Sequence, residues 1–276
     1  MTFAVSRDGV QLHYTVDDYT DPWRDRPTII LQHGFGRHGG FWYRWIPYLA
    51  RHYRILRADM RGFGASREGF SVGAGFALDD LVQDIVAVMD HAGLETAHYV
   101  GEAFGGTLGM QLGSQHPDRI RTLSLLSAPV FLHGEVQNNF AIGESSWSDA
   151  LRKHGVRKWA EGTNTISRFP PAMGEQFLAW YSEELSKTDA ETLARFSDLC
   201  RSYNQTHFLP GITAPTLAIF PTSRSEQVEL LRQHVPSLRV MRLETAYFMI
   251  YLIATRACAE AVLHFAAQYD GFSPTE

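Results

Sequence analysis

Two glycine-rich stretches hold the residues best placed to do chemistry. His33-Gly34-Phe35-Gly36-Arg37-His38-Gly39-Gly40 puts two imidazoles and a guanidinium in one loop, and Gly101-Glu102-Ala103-Phe104-Gly105-Gly106 sets a carboxylate in a second. Their glycines permit backbone angles that other residues avoid. A carboxylate in a partly apolar site has a raised pKa and can act as a general base, which is one reading of Glu102; a surface-facing or salt-bridged carboxylate is the other. His33 reads as an acid/base group on a pocket floor or as a brace between loops. The 12 histidines run singly from His13 to His264, with no HxH or HExxH pair. Metal ligation by two histidines and a carboxylate therefore has no candidate, and no metal is expected.

The elements that position these loops alternate between strand and helix, the pattern of a mostly parallel sheet with helices on both faces. Arg7-Asp8-Gly9 signals a turn, and Val10 to Val16 alternates in and out as an antiparallel opening hairpin. Thr28-Ile29-Ile30-Leu31 is a short continuous apolar run, as a doubly buried strand requires. A helix is predicted from about Phe41 to Arg51 and a strand from Tyr53 to Ala58. Leu78, Leu81, Val82, Ile85, Val86 and Met89 fall at helical spacing and predict an amphipathic helix over 77–92, ended by Gly93. Further strands are expected at Ala97–Val100, Ile120–Ser127, Thr216–Phe220 and Leu238–Leu243. One helix is expected to stop before Pro117 and another to close the chain over 256–269.

Residues 131–208 lack strand runs and are rich in aromatics, among them Trp147, Trp159, Phe177, Trp180 and Phe196. They read as a helical subdomain with its own small core, or as a lid over a pocket, since long insertions in compact domains are usually functional. The expected division is a core of 1–130 and 209–276 with a helical insertion over 131–208.

Composition narrows the function classes. The chain has 276 residues, 45% hydrophobic and 20% charged, enough apolar material for a large core. A net charge of −5 argues against nucleic-acid partners, which need a basic face. No apolar run reaches the length of about 18 residues that a membrane span needs. The first residues lack a basic stretch followed by an apolar one, so a secretory signal is not expected. Cys200 and Cys258 form no CxxC pair and are expected to be reduced and buried, as in a cytoplasmic protein.

Three landmarks carry a family likeness. They are His33-Gly34-Phe35-Gly36 after a strand, Asp59-Met60-Arg61-Gly62-Phe63-Gly64-Ala65-Ser66, and the strand–turn–helix over 97–116 continued by His116-Pro117-Asp118-Arg119-Ile120. With them the chain resembles the α/β-hydrolase family over nearly its full length, and is most similar to cofactor-free members such as 3-oxoadipate enol-lactonases and C–C bond hydrolases. The resemblance implies an α/β fold with a mostly parallel eight-stranded sheet, flanking helices and a helical lid. It also implies a nucleophile on a G-x-S-x-G turn. Here that position is Ala103, and a methyl group cannot attack a carbonyl.

The other triad positions are replaced as well. Arg224 stands where the family's aspartate follows its strand, with Glu226 the nearest carboxylate, and the alternative acid site holds Ser127. Residues 244–251 contain no histidine, and the histidine's place falls at Tyr247-Phe248. A single change could be a substitution made to trap a substrate; loss of all three reads as natural divergence. The resemblance leaves an oxyanion hole from the backbone N–H groups of Phe35 and Phe104. Tyr247 is then a proton donor or a space filler. Gly34, Arg37, His38 and His133 are candidates for binding substrate, and Arg37, His38 and Arg224 would suit an anionic one. Asp59 and Arg61 are expected to pair as a structural ion pair.

Two functions stay open. One is a cofactor-independent enzyme acting without an acyl-enzyme on a small carbonyl, ester or enol-lactone-like substrate, by hydrolysis or by a lyase, decarboxylase or isomerase step. The other is an inactive relative that binds a small molecule, and fold alone does not choose between them. In either case the expected partner is a small molecule, with no cofactor, nucleic acid or membrane, on a monomer or homodimer.

Overall fold

The continuous apolar runs become the middle of an eight-stranded sheet. The computed structural model describes residues 1–274; the last two positions of the expected core segment 209–276 lie outside the described residues. The strands are β1 (Thr2–Val5), β2 (Gln11–Asp17), β3 (Thr28–Gln32), β4 (Arg54–Ala58), β5 (Ala97–Glu102), β6 (Ile120–Leu126), β7 (Thr216–Pro221) and β8 (Leu238–Leu243). Their order is β1-β2-β4-β3-β5-β6-β7-β8. β1–β2 and β2–β4 are antiparallel and all other pairs are parallel. β3, β5 and β7 bury every residue, as strands covered on both faces must. β2 instead buries Leu12 and Tyr14 and turns His13 and Thr15 partly outward.

Ten helices accompany the sheet among the described residues: α1 (Ile46–Leu49), α2 (Leu78–His91), α3 (Phe104–Gln115), α4 (Gly134–Ala141), α5 (Trp147–Thr163), α6 (Glu175–Leu185), α7 (Ala190–Ser202), α8 (Ser225–His234), α9 (Ile250–Ile253) and α10 (Thr255–Asp270). α2 packs on α3, and α1 on α10. The helix predicted from Phe41 to Arg51 does not form as one piece. A 3-10 turn covers Gly39–Trp42 and α1 starts only at Ile46. Pro47 has no N–H to return to Tyr43, so it fits only in the first turn of a helix, which must begin there instead of at Phe41. β5 extends two residues beyond the expected Val100, which places Glu102 at the strand's carboxyl end.

Residues 131–208 contribute α4 to α7 and, among the described residues, one isolated bridge, Phe131 to Asn204. Aromatic stacking fills this segment: Phe140 lies 4.9 Å from Trp147, and Trp147 5.8 Å from Trp159. Such pairs add about 0.5–1.5 kcal/mol each beyond their burial. A π-helical turn, Asn164–Arg168, follows α5 and closes with the Phe169 N–H on the Asn164 carbonyl at 3.0 Å. Turns of this kind recur at functional sites.

Asp59 organises the loops above the sheet, but not through Arg61. Its carboxylate accepts from the Gly39 N–H at 2.7 Å and the Ala65 N–H at 2.9 Å, and pairs with His13 Nδ1 at 2.8 Å. Arg61 pairs instead with Asp8 and Asp84. Burial works to raise the Asp59 pKa, yet the His13 hydrogen bond, the nearby His33 and the two backbone donors together hold it below the usual range. A depressed carboxyl adds stability that is complete above its unfolded pKa and fades as pH falls through the folded one. Asp59→Ala is expected to cost about 3 kcal/mol at pH 7. Urea melts of the two proteins should converge as pH drops below about 4.

Candidate active site

β5 passes into α3 through a sharp reversal at Ala103, whose φ of 47° and ψ of −117° lie outside the regions a side chain prefers. Such a residue costs on the order of 1–3 kcal/mol. Its N–H donates to the Leu126 carbonyl at 2.9 Å, and its carbonyl accepts from Gly106 and Thr107. The flanking glycines are needed for close approach. A Cβ on Gly105 would lie 2.5 Å from the Gln32 carbonyl oxygen, and one on Gly106 would lie 2.4 Å from the Ala128 Cβ. Phe104 opens α3, so its N–H has no acceptor within the helix.

A cavity lies beside Ala103. About 60 Å³ of it is open to the centres of water molecules, room for several waters or one small metabolite but not for a long chain. Phe35, Phe104, Phe140, Trp147, Tyr203 and Phe248 form most of its apolar wall. Arg37, Arg168 and Arg224 also line it, and among the described residues its lining includes no histidine, aspartate or glutamate. Ser127 adds a buried hydroxyl with no partner among the described residues, on backbone at φ 48°.

Glu102 is tied down just behind this wall. One carboxylate oxygen accepts from the Gly34 N–H at 2.5 Å and from Arg37 Nε and Nη2, each at 2.6 Å. Arg37 also donates to the Tyr181 hydroxyl on α6 at 3.1 Å. Burial lifts the Glu102 pKa, and the Arg37 charge and the Gly34 N–H offset this only in part. Burial opposes the Arg37 charge in turn, and Glu102 more than offsets it. Of the two readings of Glu102, the geometry is that of a buried salt-bridged carboxylate.

The remaining candidates are dispersed. His33 accepts the Met60 N–H on Nε2 at 2.9 Å, so its Nδ1–H donates to the Gly34 carbonyl, also at 2.9 Å. Burial pulls its pKa down to about 3, and through these two hydrogen bonds the ring braces two loops. His38 lies in an outer groove and meets Glu184 at 3.1 Å; His133 meets Glu226 at 2.8 Å in another. Gly34 serves by close approach, since a Cβ there would lie 2.4 Å from Arg37 Nη2. Tyr247 is half-buried and does not line the cavity; the neighbouring Phe248 does, held by its N–H on the Ser167 carbonyl. Arg224 does reach the cavity, stacked 5.2 Å from the Phe248 ring.

Arg168 was not foreseen. It is 3% exposed and stacks on Trp159 and Phe140, with Cζ 4.6 and 4.8 Å from the ring centroids. Its one hydrogen bond goes to the Thr163 hydroxyl, and burial pulls its pKa down to about 10. Nothing in Asn164-Thr165-Ile166-Ser167-Arg168 sets this arginine apart from a surface one. Only the π-helical turn and the aromatic stack show where it goes.

A model described as the alpha/beta hydrolase fold matches residues 27–254. The chain belongs to the α/β-hydrolase fold family. Among its relatives is RutD of Serratia proteamaculans (strain 568), whose name assigns it carbamate hydrolysis. It is 28% identical over 199 residues, covering 70% of this chain and 72% of the relative. Similar solved structures include an enol-lactonase from Burkholderia xenovorans LB400, at TM-score 0.83 and 23% identity, with 96% of this chain and 99% of that one aligned. A hydrolase from Pseudomonas aeruginosa PA01 aligns at TM-score 0.81 and 26% identity, over 96% and 97%. The enol-lactonase likeness speaks to the fold alone.

Within this family member the Arg37–Glu102 pair gives a direct test of what holds the two loops together. Arg37→Met leaves a buried carboxylate facing only the Gly34 N–H, and about 3–5 kcal/mol of stability should be lost. Adding Glu102→Gln should restore much of it. A double-mutant cycle by chemical denaturation measures the coupling.

Proposed function

We propose that the chain is an α/β-hydrolase-fold enzyme that acts on a small anionic carbonyl, ester or enol-lactone-like substrate without an acyl-enzyme. One observation carries this reading: the cavity beside Ala103 is lined by three arginines and, among the described residues, by no imidazole or carboxylate. A methyl group in the nucleophile's place leaves charge stabilisation as the available catalytic tool. The backbone N–H groups of Phe35 and Phe104 supply it to a developing oxyanion, where one donor is worth about 2.7–4 kcal/mol. Hydrolysis by a bound water and decarboxylation of a β-keto acid both fit. In the latter the C–C electrons move onto the carbonyl oxygen as carbon dioxide leaves, and water then protonates the enolate. The relatives' names and the family support a hydrolytic ancestry, and the helices over 131–208 act as the lid that excludes bulk water.

A second reading, binding without turnover, is favoured by the Glu102–Arg37 pairing, which takes the nearest carboxylate out of proton transfer. Incubation with β-keto acids, enol-lactones and activated esters separates the two. Product formation that is insensitive to serine-directed reagents is expected; binding with no product would remove the enzyme reading. Ala103→Ser alone should create no reagent-sensitive esterase, because no imidazole stands at the cavity to activate the hydroxyl. Appearance of such activity would mean that a base reaches the site and would overturn the non-covalent mechanism.

A further inference from the structure

Two arginines of the cavity have no carboxylate partner among the described residues. Arg168 is held by a hydroxyl and two aromatic faces, and Arg224 by one aromatic face. Aromatic faces attract a guanidinium but do not neutralise it. Keeping Arg168 buried and unpaired is costly for the protein by itself. Arg37, by contrast, is already matched by Glu102. The cavity thus carries two positive charges that the described residues leave uncompensated.

The two guanidiniums rest on different rings, Arg168 on Phe140 and Trp159 and Arg224 on Phe248. Arg168 is buried against Phe140, while Arg224 is half-buried and lines an outer groove as well as the cavity, which puts it at the mouth. Those rings touch, Phe140 meeting Phe248 edge to face with centroids 6.4 Å apart. Two further polar atoms of the cavity lining, Ser127 Oγ and Trp147 Nε1, are buried and have no hydrogen-bond partner among the described residues. Buried polar atoms of this kind call for a partner.

We propose that the cavity takes a small ligand with two negatively charged groups, one seated on Arg168 at the buried end and the other on Arg224 at the mouth. This rests on the anionic-substrate reading above for its site, but not on turnover. The Phe140 and Phe248 rings face the ligand's carbon body, and the Ser127 hydroxyl and Trp147 N–H are placed to donate to its oxygens. The cavity's size favours a dicarboxylate of a few carbons.

Isothermal titration calorimetry of the full chain with succinate, glutarate and butyrate at low ionic strength tests this. The dicarboxylates are expected to bind about 10- to 100-fold more tightly than butyrate, the worth of one further charge-assisted contact. Arg168→Met should abolish binding of all three. Arg224→Met should bring succinate and glutarate down to the level of butyrate. Thermal unfolding without ligand separates a ligand role from a structural one. Removing an unpaired buried charge should leave Tm unchanged or raise it, whereas loss of a structural stack would lower it and count against the proposal. Equal affinity of the native chain for succinate and butyrate, or succinate binding that survives Arg168→Met, would overturn it; the first comparison needs no variant to fold. Tight dicarboxylate binding with no product from any ester or keto acid upholds the clamp and removes the enzyme reading. Turnover of neutral esters with no preference for charge does the reverse.

Discussion

The carboxyl ends of β3 and β5 meet with no space between their backbones, and the arrangement of the cavity follows from that contact. Gly105 lies against the Gln32 and His33 carbonyls so closely that a single Cβ would force them apart. The same approach brings Glu102, the last residue of β5, against the first turn of the loop after β3. There its carboxylate takes the Gly34 N–H and the Arg37 guanidinium. One buried ion pair therefore sets the spacing of both glycine-rich loops, and through Tyr181 it reaches the helices over 131–208.

Charge is distributed unevenly around this contact. Arg37 and Glu102 cancel, as a buried pair must if it is not to be strongly unfavourable. Arg168 and Arg224 are left to aromatic faces. A protein selected only for stability would replace such a residue with a hydrocarbon of similar volume, because stacking does not repay the desolvation of an unpaired guanidinium. In the anionic-ligand proposal, the charge of the ligand supplies the compensation that these two guanidiniums lack among the described residues.

The fold was legible because its signals are local. Thr28–Leu31 announces a doubly buried strand by composition, and Leu78 to Met89 announces a helix by period. The Phe41–Arg51 segment misled because its apolar residues have helical spacing while Pro47 breaks the hydrogen-bond ladder that spacing implies. The site was legible only in outline. Ala103 and Arg224 could be placed through the family resemblance, at the nucleophile's turn and at the acid's position after a strand, and both line the cavity. Tyr247 and Phe248 are adjacent, and which ring turns inward depends on a hydrogen bond from Phe248 to Ser167, 81 positions away. Arg168 could not be found from sequence, since its partners, Trp159, Phe140 and Thr163, are assembled by a π-helical turn that leaves no pattern in the residues around it. Glu102 was ambiguous for the same reason, because its partner Arg37 lies 65 positions away.

The strained backbone at Ala103 invites the inference that catalysis explains it, but the packing argues otherwise. The glycines at 101, 105 and 106 are each pressed against neighbouring backbone or side chains, so β5 and α3 cannot connect here by a gentler turn. Loss of the hydroxyl would not relax the reversal, and the reversal alone would persist in a protein that had lost all activity. Arg168 is different: among the described residues it has a hydroxyl and two aromatic faces but no carboxylate, and nothing in the packing of the β5–α3 turn requires a charge there.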